Sequence, residues 1–191
     1  MGLQQTKEFE DLTKRAIDLL RHGSPQVGYR CELQALLLPS TGDSISYEIL
    51  TPVRRAEEPA LAVKTVWRRS IDSQKFENPL SRIKYGPHIE PTLLHSKAPI
   101  SADYVSVLLS QASLLAVRVR VAVPALSLDG TGYELAVGDY WASARFHWWE
   151  SPPNEWKAMR DLWLAIRNFM DAVMPQAAPS KALGAEHKTP S

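Results

Sequence analysis

A run of alternating apolar and polar residues constrains the fold more than any other feature of the sequence. Valine occupies every second position from 117 to 123, with Arg118 and Arg120 between the valines. A period of two is typical of an antiparallel strand with one buried and one outward face. We therefore expect a half-buried strand here, with both arginines on its outward face.

The same parity predicts a second strand, whose apolar residues are Tyr133, Leu135 and Val137. A loop with an odd number of residues, 129–131, places these three residues on the same face as the valines. An even loop would place them on the arginine side, because a one-residue slip turns every side chain over. Burial therefore favours a three-residue loop around the Asp-Gly turn signal at residues 129–130.

A third strand should follow a two-residue loop at Gly138 and Asp139, since glycine suits the first central position of a type II′ turn. The predicted inner face of that strand consists of Tyr140, Ala142, Ala144, Phe146 and Trp148. The predicted outer face consists of Trp141, Ser143, Arg145, His147 and Trp149, with Glu134 of the second strand on the same side.

A helix is predicted after the third strand, ending before Pro175. Ser151 is a candidate N-cap, and a proline follows it where a first-turn N–H lacks a partner in any case. Apolar residues then recur at three- and four-residue spacing as far as Val173. Trp156 and Trp163 lie on that apolar stripe, so we assign both to the core.

The N-terminal half predicts one helix, three strands and a second helix. The first helix spans residues 3–21 and ends at Gly23, and the strands span residues 27–38, 44–53 and 61–71. Residues 72–99 contain four prolines and show no clear period. A helix over residues 102–113, with Ser101 as its N-cap, should come next.

Together these elements predict an α+β domain. Its antiparallel sheet has about six strands in two three-strand meanders, with N-terminal, central and C-terminal helices covering one face. We expect a single domain over residues 1–174. Residues 175–191 are rich in Ala, Pro, Ser and Lys, a composition that predicts a disordered tail.

Composition narrows the functional classes. The net charge of +1, from 22 basic and 21 acidic residues, gives no clear signal of a nucleic-acid partner. No apolar run approaches the ~20 residues of a membrane span, and the N-terminus lacks an apolar signal core. We therefore expect a cytoplasmic protein without a membrane partner.

The motifs that carry chemistry are incomplete. His88-Ile89-Glu90 resembles half of a zinc deaminase site, but the Pro-Cys-x-x-Cys partner is missing. Cys31 is the one cysteine of the chain, and its mid-strand position favours a small buried hydrophobe. We predict no catalytic residue, no metal site and no cofactor.

The outer face of the C-terminal strands is the candidate binding surface. Arginine and tryptophan are the side chains most enriched at binding hot spots. Two other interpretations stay open: a wet sheet face on which arginine stems and tryptophans cover each other, or a face covered by another element. The predicted binding residues are Arg118, Arg120, Trp141, Arg145, His147 and Trp149.

A resemblance to known sequences covers about the last third of the chain. The segments at residues 129–135 and 145–156 combine a hairpin, a double tryptophan and a proline-capped helix. This pattern resembles small uncharacterised bacterial proteins, some of which are similar to immunity-like partners of polymorphic toxins. The resemblance implies a bacterial binding protein and transfers no catalytic residue.

Two functions from different classes follow. The first is a non-enzymatic cytoplasmic binding protein with a protein partner, of the immunity or antitoxin type; self-association is left open. The second is a small-molecule binder or an enzyme, in which Arg118, Arg120 and Arg145 clamp an anionic ligand and His147 moves a proton. A deep pocket lined by these residues would favour the second function, and a shallow surface the first.

Overall fold

A computed structural model describes residues 3–23, 26–54, 57–78, 80–81, 89–116, 130–138 and 143–174. Its helices are α1 (Leu3–His22), α2 (Arg69–Glu77), α3 (Ala102–Ser113) and α4 (Lys157–Val173). Its strands are β1 (Tyr29–Pro39), β2 (Ser44–Pro52), β3 (Ala60–Trp67), β4 (Leu93–Ile100), β5 (Thr131–Gly138) and β6 (Ser143–Trp149).

The strands form one antiparallel sheet in the order β4-β3-β2-β1-β5-β6. The predicted fold class, an α+β domain with a six-stranded antiparallel sheet, is thereby confirmed. The predicted division into two three-strand meanders is wrong for the described sheet, because β1 to β4 form a four-strand meander and β5 joins it beside β1. Strand β5 has β1 and β6 as its two neighbours. The predicted valine strand at residues 117–123 lies outside the described residues, as does the predicted tail at 175–191.

One strand and one helix lie where the sequence showed no period. Strand β4 and most of α2 come from the proline-rich segment at residues 72–99. Within the described residues β4 is an edge strand, and most of its side chains are at least partly exposed. Because an edge strand tolerates proline, Pro99 can pair with Leu61. Its weak burial is also why β4 lacks a clear apolar alternation.

Helices cover both faces of the sheet. We call the side packed against α3 and α4 the α4 face; its core includes Leu33, Ala35, Leu135 and Trp148. We call the other side, packed against α1 and α2, the α1 face. The prediction that helices cover one face is wrong, because Leu36 and Trp67 have the opposite parity and are buried against Ala16 and Leu20 of α1.

The predicted helix ends are confirmed for two helices and corrected for a third. Gly23 has a left-handed φ of 69° after α1, and Ser101 Oγ accepts a hydrogen bond from the Tyr104 N–H at the start of α3, over 3.3 Å. Ser151 does not cap α4. A 3₁₀ turn, Asn154–Trp156, precedes α4 and leaves it without a side-chain cap.

The two tryptophans assigned to the core differ in burial. Trp163 of α4 is fully buried, and its Nε1–H donates to the Leu36 carbonyl over 3.2 Å. Trp156 is half-buried, with its ring 6.0 Å from that of Phe146. The apolar stripe of α4 therefore packs as predicted over most of its length.

A buried carboxylate attaches α2 to the sheet. Asp72 is 0% exposed. Its Oδ2 accepts hydrogen bonds from Trp67 Nε1 and from the Thr92 N–H, each over 2.8 Å. Its Oδ1 accepts from Thr92 Oγ1 and from Lys75 Nζ. Burial opposes ionisation of Asp72, but the hydrogen bonds from Thr92, Lys75 and Trp67 prevail and lower its pKa.

Candidate functional site

The predicted parity of the last hairpin is confirmed. Leu135 pairs with Phe146 on the α4 face, whereas Glu134 pairs with His147 on the α1 face. The pairing ends with Gly138 opposite Ser143, so four residues connect the strands and not two. An even difference leaves every side chain on its predicted face, because the period of a strand is two.

Three of the six predicted binding residues form a row on the α1 face of β6. These are Arg145, His147 and Trp149, which we call the β6 row. Arg145 and His147 are exposed, and Trp149 is half-buried. Arg118, Arg120 and Trp141 lie outside the described residues.

Glu134, predicted to share this outward face, is buried. Its side chain retains 1% exposure. Arg145 Nη1 donates to Glu134 Oε2 over 3.1 Å. Arg21, at the end of α1, donates from Nε to both carboxylate oxygens over 3.1 Å and also from Nη2. The end of α1 therefore covers this part of the sheet, as in the third interpretation above.

This ion cluster sets the charge state of Glu134. Burial would raise the pKa of the carboxyl, but the hydrogen bonds and positive charges of Arg21 and then Arg145 prevail, so the pKa is lowered. The hydrogen bond to Glu134 in turn raises the pKa of Arg21. One carboxylate therefore holds two guanidinium groups, and neither is a free anion clamp.

A chain of hydrogen bonds continues from the cluster across three strands. Arg145 Nη2 donates to Gln34 Oε1 over 2.9 Å. Gln34 Nε2 donates to the Leu20 carbonyl of α1 and to Ser46 Oγ, over 2.8 and 3.2 Å. Ser46 Oγ then donates to Glu48 Oε1 over 3.2 Å. Since Gln34, Ser46 and Glu48 are all buried, the α1 face is polar beneath the end of the helix.

A cavity of about 190 Å³ lies beside this chain, under the C-terminal end of α1. Glycine suits position 23, because its φ of 69° is left-handed and a Cβ there would lie 2.7 Å from Glu48 Oε2, so that the Glu48 side chain would have to shift. The cavity is lined by Arg21, His22, Gly23, Cys31, Glu32, Gln34, Glu48, Ala136, Val137, Gly138, Ser143 and Arg145. Its volume is below the about 300 Å³ at which ligand pockets usually begin.

Cys31 is exposed and not the buried hydrophobe that its mid-strand position suggested. Protein atoms nevertheless crowd its sulfur. This burial, followed by the negative charges of Glu48 and Glu32, raises the pKa of the thiol to about 12. Because the thiolate is the reactive form of cysteine, Cys31 is a poor nucleophile at neutral pH.

Two unfavourable features lie at the C-terminal end of the β6 row, at Trp149 and Glu150. The Trp149 Nε1–H is enclosed by protein and has no hydrogen-bond acceptor among the described residues. The next residue, Glu150, has a left-handed φ of 56°. Its Oε1 accepts a hydrogen bond from the Thr131 N–H over 2.7 Å, in space that a side chain on Gly130 would fill.

Sequence reasoning missed Arg21, Gln34 and Glu48, which come from three other elements. A signal exists for two of them, because Gln34 and Glu48 interrupt apolar strands. Nothing in the sequence indicates that Arg21 lies over Glu134, since that contact depends on how α1 docks. Within the described ranges, no three His, Cys, Asp or Glu side chains group as metal ligands, and no helix has the length and apolarity to cross a membrane.

Comparison of the chain with protein-family models, with curated proteins and with solved structures gives no match.

Proposed function

We propose that the protein is a non-enzymatic binding protein whose partner is another protein, held at the β6 row. The C-terminal resemblance favours an immunity-type or antitoxin-type role for this protein in a bacterial cytoplasm. The row supports this role because exposed arginine and histidine lie next to a half-buried tryptophan on a strand of a six-stranded sheet. Few binding residues then need to be ordered on association.

The observation that carries the proposal is the state of Trp149. An enclosed N–H donor without an acceptor costs about 1–3 kcal/mol, and a left-handed non-glycine residue such as Glu150 costs about 1–3 kcal/mol more. Such costs cluster at functional sites. A partner that shifts the Trp149 ring outward and offers a carbonyl or carboxylate oxygen to its indole N–H would recover part of this free energy.

The ion cluster also favours a protein partner over an anionic ligand. Arg145 and Arg21 are both hydrogen-bonded to Glu134, so an anion would have to compete with a carboxylate already in place. A protein surface needs no such displacement. It can pack on the exposed stem of Arg145 and on the rings of His147 and Trp149.

Binding can be tested by co-expressing the protein with the products of neighbouring genes and measuring affinity for any product that co-purifies. Trp149→Phe removes the enclosed N–H and keeps a ring in place. It should weaken the complex while leaving the free protein as stable as the wild type or more so. Leu114→Ala is the matched control, because Leu114 is 82% exposed at the end of α3, away from the β6 row.

Two outcomes would overturn the proposal. One is a complex that Trp149→Phe and His147→Ala leave at wild-type affinity while another surface abolishes it. The other is turnover of a small molecule by the purified protein in the absence of any protein partner among those gene products.

A second candidate function, a small-molecule binder, is favoured by the cavity under α1. Arg145 lines it, as the anionic-ligand hypothesis requires, but His147 does not. Native mass spectrometry of the purified protein would detect a retained ligand. Ser143→Phe at the cavity should then release that ligand and leave partner binding at the other end of β6 intact.

A further inference from the structure

A second surface, separate from the β6 row, lies along α1. It is a shallow groove of about 400 Å³. Phe9 and Ile17 of α1 form its half-buried apolar floor. Arg69 of α2 forms its wall and is fixed there: the guanidinium lies 5.6 Å from the centre of the Phe9 ring and donates to the Ser40 carbonyl over 2.6 Å.

Charges of alternating sign lie along this groove. In chain order they are Glu10, Lys14, Asp18 and Arg21. At three- or four-residue spacing they share one side of the helix. The sheet holds the other side, where Leu12, Ala16 and Leu20 are 0% exposed. Glu10 and Lys14 are exposed and form no ion pair within the described part of the chain.

We propose that a second copy of the protein occupies this groove, with the two α1 helices antiparallel about a two-fold axis level with residue 16. The charge pattern is complementary to itself in this orientation. In an antiparallel pair, facing residues have numbers with a constant sum. Glu10 then faces Arg21 of the other copy with a sum of 31, and Lys14 faces Asp18 with a sum of 32.

Helix geometry permits both kinds of pair at once. A difference of one in the sum corresponds to about 1.5 Å along the axis, the rise per residue, and the long side chains of Arg21 and Lys14 span that offset. The two-fold axis repeats each pair, so four opposite-charge pairs flank the two apolar floors. A parallel two-fold pair would place every residue beside its own copy and like charges together.

The Arg21–Glu134 contact is compatible with this dimer. Arg21 uses Nε and Nη2 for Glu134, whereas its Nη1 lies 3.9 Å from Asp18 Oδ1 at the rim of the groove. Self-association on α1 and partner binding on β6 use different elements of the fold. A result that excludes the α1 dimer therefore does not exclude partner binding at β6, and the reverse also holds.

Charge reversal on the full chain provides the test, with sedimentation equilibrium at low ionic strength as the measurement. Wild type should form dimers that weaken as salt is added. Lys14→Glu alone and Asp18→Lys alone should each weaken dimerisation by about tenfold or more, because every reversed pair occurs twice. The double variant Lys14→Glu/Asp18→Lys should dimerise like the wild type.

Mixing the two single variants gives the sharpest readout. One copy then carries two acids at these positions and the other carries two bases, so a heterodimer forms opposite-charge pairs on both sides of the axis. We expect association in the mixture and not in either variant alone. Melting curves of each variant check that the fold is intact, and Lys157→Glu on α4 serves as a control reversal on another exposed lysine.

A monomeric wild type at every concentration would overturn the proposal. So would dimers that both single variants retain, or dimers that the mixture fails to restore, since these place the interface on another face. Binding of a helix from a different protein to this groove, with the wild type remaining monomeric, would also overturn it.

Discussion

Arg145 donates a hydrogen bond from Nη1 to Glu134 Oε2 over 3.1 Å, although the two residues lie on different strands and are not direct cross-strand partners. Arg145 pairs with Ala136, the residue two positions after Glu134 on the same face. Such diagonal neighbours are within reach of long side chains. The bond connects an exposed strand, β6, to a carboxylate that α1 shields from water.

Replacing Glu134 should therefore cost stability. Glu134→Gln removes the charge and leaves Arg21 and Arg145, which are 41% and 37% exposed, free to recover water. Because both arginines are partly exposed, we expect the free energy of unfolding to decrease by about 1–3 kcal/mol, less than for a fully buried pair. Denaturant melts measure this decrease. Glu155→Gln at an exposed position is the control and should change the free energy of unfolding by at most about 0.5 kcal/mol.

The cost of Glu134→Gln should also depend on pH. The folded pKa of Glu134 is lowered, so its carboxylate stabilises the fold fully above the ordinary glutamate pKa of about 4.3. This contribution decreases as pH falls below that value and is lost once pH passes the folded pKa. The difference in free energy of unfolding between wild type and Glu134→Gln should therefore become smaller at acidic pH. A difference that stays constant from neutral to acidic pH would show that the Glu134 carboxylate does not stabilise the fold through Arg21 and Arg145.

Asp72 should be required for the docking of α2. In Asp72→Asn an amide N–H₂ replaces one acceptor oxygen and faces donors from Trp67, Thr92 or Lys75. We expect the free energy of unfolding to decrease by about 3 kcal/mol. Hydrogen exchange should show faster opening of α2 and β4 than of β1. Asp161→Asn, at a side chain 54% exposed on α4, is the matched control.

The register of β6 predicts opposite outcomes for two adjacent residues. Trp148 is 5% exposed in the core, so Trp148→Ala should cost about 3–5 kcal/mol. His147 is exposed on the other face, so His147→Ala should stay within about 0.5 kcal/mol. Denaturant melts compare the two variants. A larger loss for His147→Ala would mean that the strand is shifted by one residue.

Deleting residues 177–191 should leave the melting temperature nearly unchanged. This segment contains one aliphatic residue larger than alanine, Leu183. Little apolar surface is available there to offset the entropy of ordering the chain. Thermal melts of the full and shortened chains test this, and a drop of several degrees would show that the segment docks on the domain.

Local patterns were sufficient for much of the fold. Alternation alone placed Phe146 and Trp148 on one face and Arg145 and His147 on the other. The predicted loop after Val137 was two residues too short, and an even difference leaves the assignment of side chains to faces unchanged. Ser101 and Gly23 marked helix ends through their own side-chain and backbone chemistry. These signals depend on residues close in sequence, and an isolated chain already contains them.

Strand β4 escaped this reasoning because it lies at an edge of the described sheet. Most of its side chains are at least partly exposed, so the strand does not need alternating apolar residues. Pro99 also lacks the N–H of an ordinary strand residue, which made the segment look unlike a strand. Pairing with β3 supplies the hydrogen bonds that make it a strand. The start of α4 was predicted too early. Ser151 has a side chain suited to an N-cap, but a 3₁₀ turn at Asn154–Trp156 lies between it and the helix.

The candidate site illustrates the limit of periodicity. Alternation assigns Glu134 to the face opposite Leu135, and it does so correctly. Whether that face meets water or another element depends on the docking of α1, which is more than 100 residues away in sequence. The hydrogen bonds from Arg21 to Glu134 and from Gln34 to the Leu20 carbonyl make part of the predicted binding face a buried polar layer. Side-chain direction is a local property of a strand, whereas burial and charge pairing arise only when distant elements pack together.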